Sequence, residues 1–187
     1  MSLRLFAAIS PSDEMRDRLV ALQPGLPEGR LTTWENLHLT LAFFGEVDGA
    51  RAGDLHAALG AIRAPGFDLL LDGVGAFGGA RPRLLHAGVA PAPGLSHLQG
   101  KIAQAARGTG INLPAERYAP HVTLKRLKPG EMSPTRVARW LEAGAGFLAG
   151  PSPVEEFHLM RSTLGRAAPS YEAIASYRFA SDATRRP

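Results

Sequence analysis

Between Leu37 and Phe44 the residues alternate with a period of two, the spacing of a β-strand whose successive side chains point to opposite faces. Leu37, Leu39, Leu41 and Phe43 fall on one face, suited to a core. His38 and Thr40 project together from the other, with Ala42 leaving space beside them. One His-x-Thr strand is a short motif that any half-exposed strand can carry. The pattern gains weight because it returns 83 residues later, at Pro120-His121-Val122-Thr123-Leu124-Lys125-Arg126.

The rest of the chain divides in the same way. Residues 3–9 read as a buried strand, followed by Ser10-Pro11 as a helix cap and first-turn proline, with Asp13 and Glu14 favourable at the helix N-terminus. Met15, Leu19 and Leu22 form the apolar stripe of that helix to about Gln23. A second helix is predicted at roughly 49–63, and strand residues broken by glycines at 67–71 and 73–77. The series then restarts: a strand at 83–89 ending in Ala90-Pro91, a helix carrying Leu95, Leu98, Ile102 and Ala105, the second His-x-Thr strand, a helix capped by Ser133-Pro134, and strands at 154–160 and 171–179. Pro91 lies 80 residues after Pro11, and Glu155 lies 87 after Asp68. Near-constant offsets with small drift are what a duplication with loop insertions produces. We therefore expect one domain, 1–187, of two similar halves at about 1–80 and 81–180, with 181–187 a frayed tail.

Composition narrows the possibilities. With 45% hydrophobic and 20% charged residues the chain reads as a soluble globular protein, and no stretch approaches the roughly 18 apolar residues of a membrane span. The N-terminus runs directly into a strand pattern, and a cytoplasmic monomer is the simplest expectation. The absence of cysteine excludes disulfides, thiol nucleophiles and thiolate metal sites. No His-Glu-x-x-His, acidic cluster or glycine-rich phosphate loop is present, so no metal and no cofactor are expected. The net charge of +4 comes from 21 basic residues, all arginine except Lys101, Lys125 and Lys128. Arginine's planar fork suits phosphate oxygens.

Two histidines on duplicated strands can serve one reaction. Opening a phosphodiester with water needs one group to take a proton and another to give one, and imidazole's pKa near 6.5 allows both forms near neutral pH. If the halves face each other across a pseudo-twofold axis, His38 and His121 reach a common cleft. Thr40 and Thr123 would hydrogen-bond the non-bridging phosphate oxygens, and Arg126 would neutralise charge growing there. Strict alternation from His121 aims Arg126 at the opposite face. It reaches the cleft only if the strand ends or bulges near Lys125. His56, His97 and His158 have no counterparts in the repeat and are expected to be structural or on the surface.

The motifs His38-Leu39-Thr40-Leu41 and His121-Val122-Thr123-Leu124 resemble those of the 2H phosphoesterase superfamily, specifically the LigT-like RNA 2′,3′-cyclic phosphodiesterases (2′-5′ RNA ligase family). The likeness extends to Arg4–Ile9, Glu35–Leu37, Pro82–Leu84, Ala87–Val89, Pro120, Arg126, Ser162, Leu164 and Tyr171-Glu172. It implies an α+β, bilobal fold, with two pseudo-symmetric lobes of antiparallel sheet plus helices around a central cleft. It also implies metal-independent hydrolysis of RNA or nucleotide 2′,3′-cyclic phosphate ends to 2′-phosphomonoesters, with 2′–5′ RNA ligation as the reverse. By that resemblance His38 is the proton donor to the leaving 3′ oxygen and His121 the acceptor that activates water. Arg126, Pro120 and Tyr171 are expected at the substrate, and Trp34, a departure from the family pattern, is a candidate for stacking a base. His86 also departs, standing where relatives often carry tryptophan. The alternatives are a phosphodiesterase on 2′–5′ oligonucleotides or ADP-ribose cyclic phosphate, or a catalytically silent RNA-binding module.

Overall fold

The computed structural model describes residues 2–27, 31–114, 117–165 and 169–179; the tail at 181–187 lies outside them. Among the described residues the elements are β1 (Ser2–Ile9), α1 (Asp13–Val20), β2 (Leu39–Asp48), α2 (Gly49–Gly60), β3 (Phe67–Phe77), β4 (Leu84–Val89), α3 (Pro93–Gly108), β5 (His121–Arg126), α4 (Pro134–Ala143), β6 (Leu148–Val154), β7 (Glu156–Thr163) and β8 (Ser170–Arg178), with a 3₁₀ turn at Trp34–Asn36. The strands form one antiparallel sheet in the order β6-β3-β4-β5-β2-β1-β7-β8. The fold is α+β, as expected.

The two His-x-Thr strands lie at the middle of this sheet, β2 beside β5, and pair antiparallel at Leu39 and Val122. Both residues are wholly buried. They are also the same position of the repeat, 83 residues apart. A residue paired with its own copy marks the twofold axis that relates the motifs. On either side lies a four-stranded half, β2-β1-β7-β8 and β5-β4-β3-β6. These halves interleave the chain: β3 pairs with β4 and β6, while β7 returns to pair with β1. Hydrogen bonding thus does not follow a cut of the sequence near residue 80.

Helix starts follow local chemistry. Ser133 caps α4 by accepting from the Arg136 amide at 3.3 Å, and Asp48 caps α2 by accepting from the Arg51 amide at 3.0 Å. At α1 the cap is Ser12, which accepts from the Met15 amide at 3.4 Å, rather than Ser10. Asp13 and Glu14 occupy the first turn, and Pro11 precedes the cap. Leu5, Ala7, Ile9, Leu39, Leu41, Val122 and Leu124 face the same core as Met15, Leu19, Leu55, Leu59, Leu98 and Ile102 of α1, α2 and α3. That leaves the other face of the central strands, which carries His38, Thr40, His121 and Thr123, free of helix packing.

The strict alternation expected of β2 breaks at Leu41, and the register against β1 shifts a second time at Phe44. Ala8 pairs with Thr40 and Ala7 with Ala42, so Leu41 is an extra residue, a β-bulge. Beyond it the faces exchange: Ala42 and Phe44 turn inward, and Phe43, expected in the core, is 40% exposed on the histidine face. β5 does the same at the equivalent position. His86 pairs with Thr123 and Leu85 with Lys125, making Leu124 the extra residue. Arg126 is thereby turned onto the face of His121, and Lys125 goes inward to complete burial. The Lys125 ammonium meets the Glu131 carboxylate at 3.0 Å, the compensation a buried charge requires.

Strand β6, Leu148–Val154, escaped the sequence pattern because Gly150, Pro151 and Pro153 interrupt it. It lies at the sheet edge, where missing amide donors are tolerated. β7 then starts at Glu156 rather than Val154.

The bulge makes an unequal pair of neighbours. Leu41→Ala should lower unfolding stability by about 3 kcal/mol, as truncation of a buried leucine does. Phe43→Ala should lower it by only about 1 kcal/mol or less, since that ring is half out in the cleft. Urea unfolding of both variants checks this; unbroken alternation would make both changes comparably damaging.

Candidate active site

Each histidine stands where its strand begins. His38 immediately precedes β2 and His121 is the first residue of β5. Both rings are anchored alike, to the carbonyl two residues back: Nδ1 of His38 lies 2.6 Å from the Asn36 oxygen, and Nδ1 of His121 lies 2.8 Å from that of Ala119. A carbonyl only accepts, so each Nδ1 carries the proton and donates. Nε2 of each ring is left to exchange a proton with a ligand. Pro120, directly before His121, has a restrained φ that limits the approach to this anchor.

The walls around the two rings differ. His38 sits between Phe6 and Tyr171, with ring centroids 5.0 and 4.9 Å away. His121 has Phe77 at 4.9 Å and His86 at 5.2 Å, and the last two rings stack on each other at 4.4 Å. His86 fits there because its strand partner is Gly75, where a Cβ would lie 2.5 Å from the imidazole.

Two compartments meet between the histidines. The smaller, 300 Å³, is lined by Arg4, Phe6, His38 and Tyr171. The larger, 780 Å³, is lined by Phe77, Tyr118 and His121 and extends to α3. Thr40, Phe43 and Arg126 line both. Thr123 lies on the face of His121, two residues further, opposite His86 on β4. Of the residues expected from the sequence, His38, Thr40, His121, Arg126 and Tyr171 are thus brought to this cleft, with Thr123 on its floor strand. Trp34 is not. Its indole N–H donates to Asp17 at 2.8 Å and its ring lies under the Arg16 guanidinium at 4.6 Å, which ties it to α1. Phe43, Phe6 and Tyr118 were missed: the first is hidden by the bulge, and the other two lie in apolar or loop contexts without a motif. Of the three other histidines, His56 Nδ1 meets the Tyr177 hydroxyl at 2.8 Å and His158 Nδ1 meets Ser176 Oγ at 2.9 Å.

The electrostatics favour few protons. Burial holds the pKa of His38 below the usual histidine value; Arg126 and His121 add to the depression, and the Asn36 carbonyl opposes it. Burial likewise depresses His121, with Arg126 adding to it and the Ala119 carbonyl opposing. Because a charge on His121 works against one on His38, the site resists holding two imidazoliums. An anion between the rings and Arg126 would reverse part of this and favour a proton on one ring. Among the described residues no cluster of three or more His, Asp or Glu is arranged to hold a metal ion.

Fold and site define a duplicated α+β protein with a paired-imidazole cleft. Residues 11–166 match the family model of the 2′-5′ RNA ligase superfamily, and the chain belongs to that superfamily. Among its relatives, proteins named RNA 2′,3′-cyclic phosphodiesterase from Escherichia coli and Aeropyrum pernix are 37% identical over 127 residues (66% of this chain, 71% of the relative) and 32% identical over 149 residues (79% and 84%). The crystal structure of E. coli LigT complexed with 3′-AMP aligns with a TM-score of 0.76 at 28% identity, covering 96% of this chain and 99% of that one. The resemblance read from the two motifs is borne out.

Removing the Arg126 charge by Arg126→Gln should raise the pKa of both imidazoles toward, but not to, the unperturbed 6.5, burial still acting. NMR titration of the ring carbons reads this; unchanged midpoints would place the guanidinium elsewhere. Because the folded pKa values lie below the unfolded one, the unfolded chain takes up protons first on acidification. The stability due to these neutral rings is intact above about pH 6.5 and declines as pH falls through that value toward the folded ones.

Proposed function

We propose that the protein hydrolyses RNA or nucleotide 2′,3′-cyclic phosphate ends to 2′-phosphomonoesters. The observation that carries this reading is the equivalent anchoring of two imidazoles through Nδ1, which leaves both Nε2 atoms free around one cleft that also holds Thr40 and Arg126. Water gives a proton to neutral His121 as its oxygen bonds to phosphorus. The bond from phosphorus to the 3′ oxygen breaks, and protonated His38 supplies that oxygen with a proton. The product is a 2′-phosphate and a free 3′-hydroxyl, with the proton now on His121 and His38 neutral. Thr40 and Thr123 hydrogen-bond the non-bridging oxygens, and Arg126 balances the charge that builds on them. The donor and acceptor roles follow the family resemblance, since both rings are anchored alike. The same site can join strands when an RNA 5′-hydroxyl, rather than water, attacks the cyclic phosphate. The 3′ oxygen leaves as before, and the new linkage is 2′–5′. No metal enters, and the protein works as a cytoplasmic monomer on RNA ends.

His38→Ala and His121→Ala should each lose about 10²–10⁴-fold in kcat on a 2′,3′-cyclic nucleotide while remaining folded, and EDTA should leave the wild-type rate unchanged. Full activity in either variant would sink the reading. The pH profile should be bell-shaped, since one ring must be neutral and the other charged. The two roles are told apart with a substrate whose 3′-bridging oxygen is sulfur, a leaving group that needs no proton. It should restore turnover to His38→Ala and leave His121→Ala inactive; the opposite result would exchange the roles.

A further inference from the structure

The cleft is larger than one nucleotide end requires. The 300 Å³ compartment beside His38 is walled by Tyr171 and by the Arg4 guanidinium, stacked over Phe43 at 4.9 Å. The 780 Å³ compartment beside His121 runs from the reacting position to Arg107, in the last turn of α3, and Arg117, in the loop leading to β5. Both side chains belong to exposed residues, and among the described residues neither has a carboxylate partner. Phe77 and Phe43, 38% and 40% exposed, stand in the same wall. Tyr118, the neighbour of Arg117, is held in place: its hydroxyl donates to the Thr40 carbonyl at 3.1 Å, and burial raises the pKa of that phenol, keeping it a donor.

Exposed aromatic faces combined with separated guanidiniums are how proteins hold a single nucleic-acid strand, bases stacking on the rings and phosphates meeting the cations. A mononucleotide would leave most of this surface unused. Resting on the phosphodiesterase reading above, we propose that the larger compartment binds the RNA strand on the 5′ side of the terminal cyclic phosphate, with Arg107 and Arg117 neutralising successive backbone phosphates. The protein then selects polynucleotide ends over cyclic mononucleotides. Base identity has little part in this, because ring stacking and phosphate contacts are sequence-tolerant.

The test compares kcat/KM for a 2′,3′-cyclic mononucleotide with that for a tetraribonucleotide ending in the same cyclic phosphate, using wild type and the Arg107→Ala/Arg117→Ala double variant. Wild type should prefer the tetranucleotide by about tenfold, the scale of two exposed charge pairs. The double variant should lose that preference through KM, with its rate on the mononucleotide, which also reports correct folding, unchanged. Against salt, the slope of log KM for the tetranucleotide should be shallower in the double variant by about 1.4, or about 0.7 for each phosphate no longer neutralised. Equal efficiency of wild type on both substrates, or a preference that survives the double substitution, overturns the proposal and leaves the phosphodiesterase reading standing. Failure of wild type to hydrolyse either substrate overturns that reading and this proposal with it.

Discussion

The site depends on one strand contact, Leu39 against Val122, where β2 and β5 meet. Each of these residues is the copy of the other, and both are fully buried, so the position of the axis is fixed by core packing rather than by the cleft. In antiparallel geometry the neighbours of a paired position lie opposite one another, which sets His38 across from Thr123 and Thr40 across from His121. Neither half carries both imidazoles. A slip of either strand by one residue would send its own histidine and threonine into the core, and the buried residues on the other face oppose it.

Around this contact, two repeated local features do the chemical preparation. The first is the carbonyl two residues before each histidine, which fixes the ring and its tautomer from backbone alone. The second is the bulge one residue beyond each threonine, which brings a further side chain round to the same face. Burial and the Arg126 charge then keep the site poor in protons. A bound anion would offset that penalty on the protonated form and favour a single proton on the pair, the state that the proposed acid–base reaction requires.

Much of this was legible in the sequence. Leu37, Leu39 and Leu41 gave the inward face of β2, Ser133-Pro134 gave the start of α4, and the second His-x-Thr gave the pairing of the rings. What stayed hidden has physical causes. An extra residue in a strand leaves no mark in the residue types, so Phe43 looked like core and Arg126 looked misdirected until the register was known. The prolines of β6 argue against a strand everywhere except at an edge, and which strand is the edge is a tertiary property. Trp34 sits near His38 in sequence, but its N–H found Asp17 one helix away, and a satisfied indole stays with its partner. Interleaving of β3 and β7 between the halves depends on long-range pairing that periodicity cannot encode.

The paired bulges have one more implication. They deliver side chains from equivalent positions of the repeat, yet one delivers the ring of Phe43 and the other the cation of Arg126. A twofold frame with identical residues at these points would read a strand equally well in either direction. RNA has a direction, and the function proposed above, at one particular end, requires that it be sensed. The mismatch between Phe43 and Arg126 gives a nearly palindromic scaffold a head and a tail.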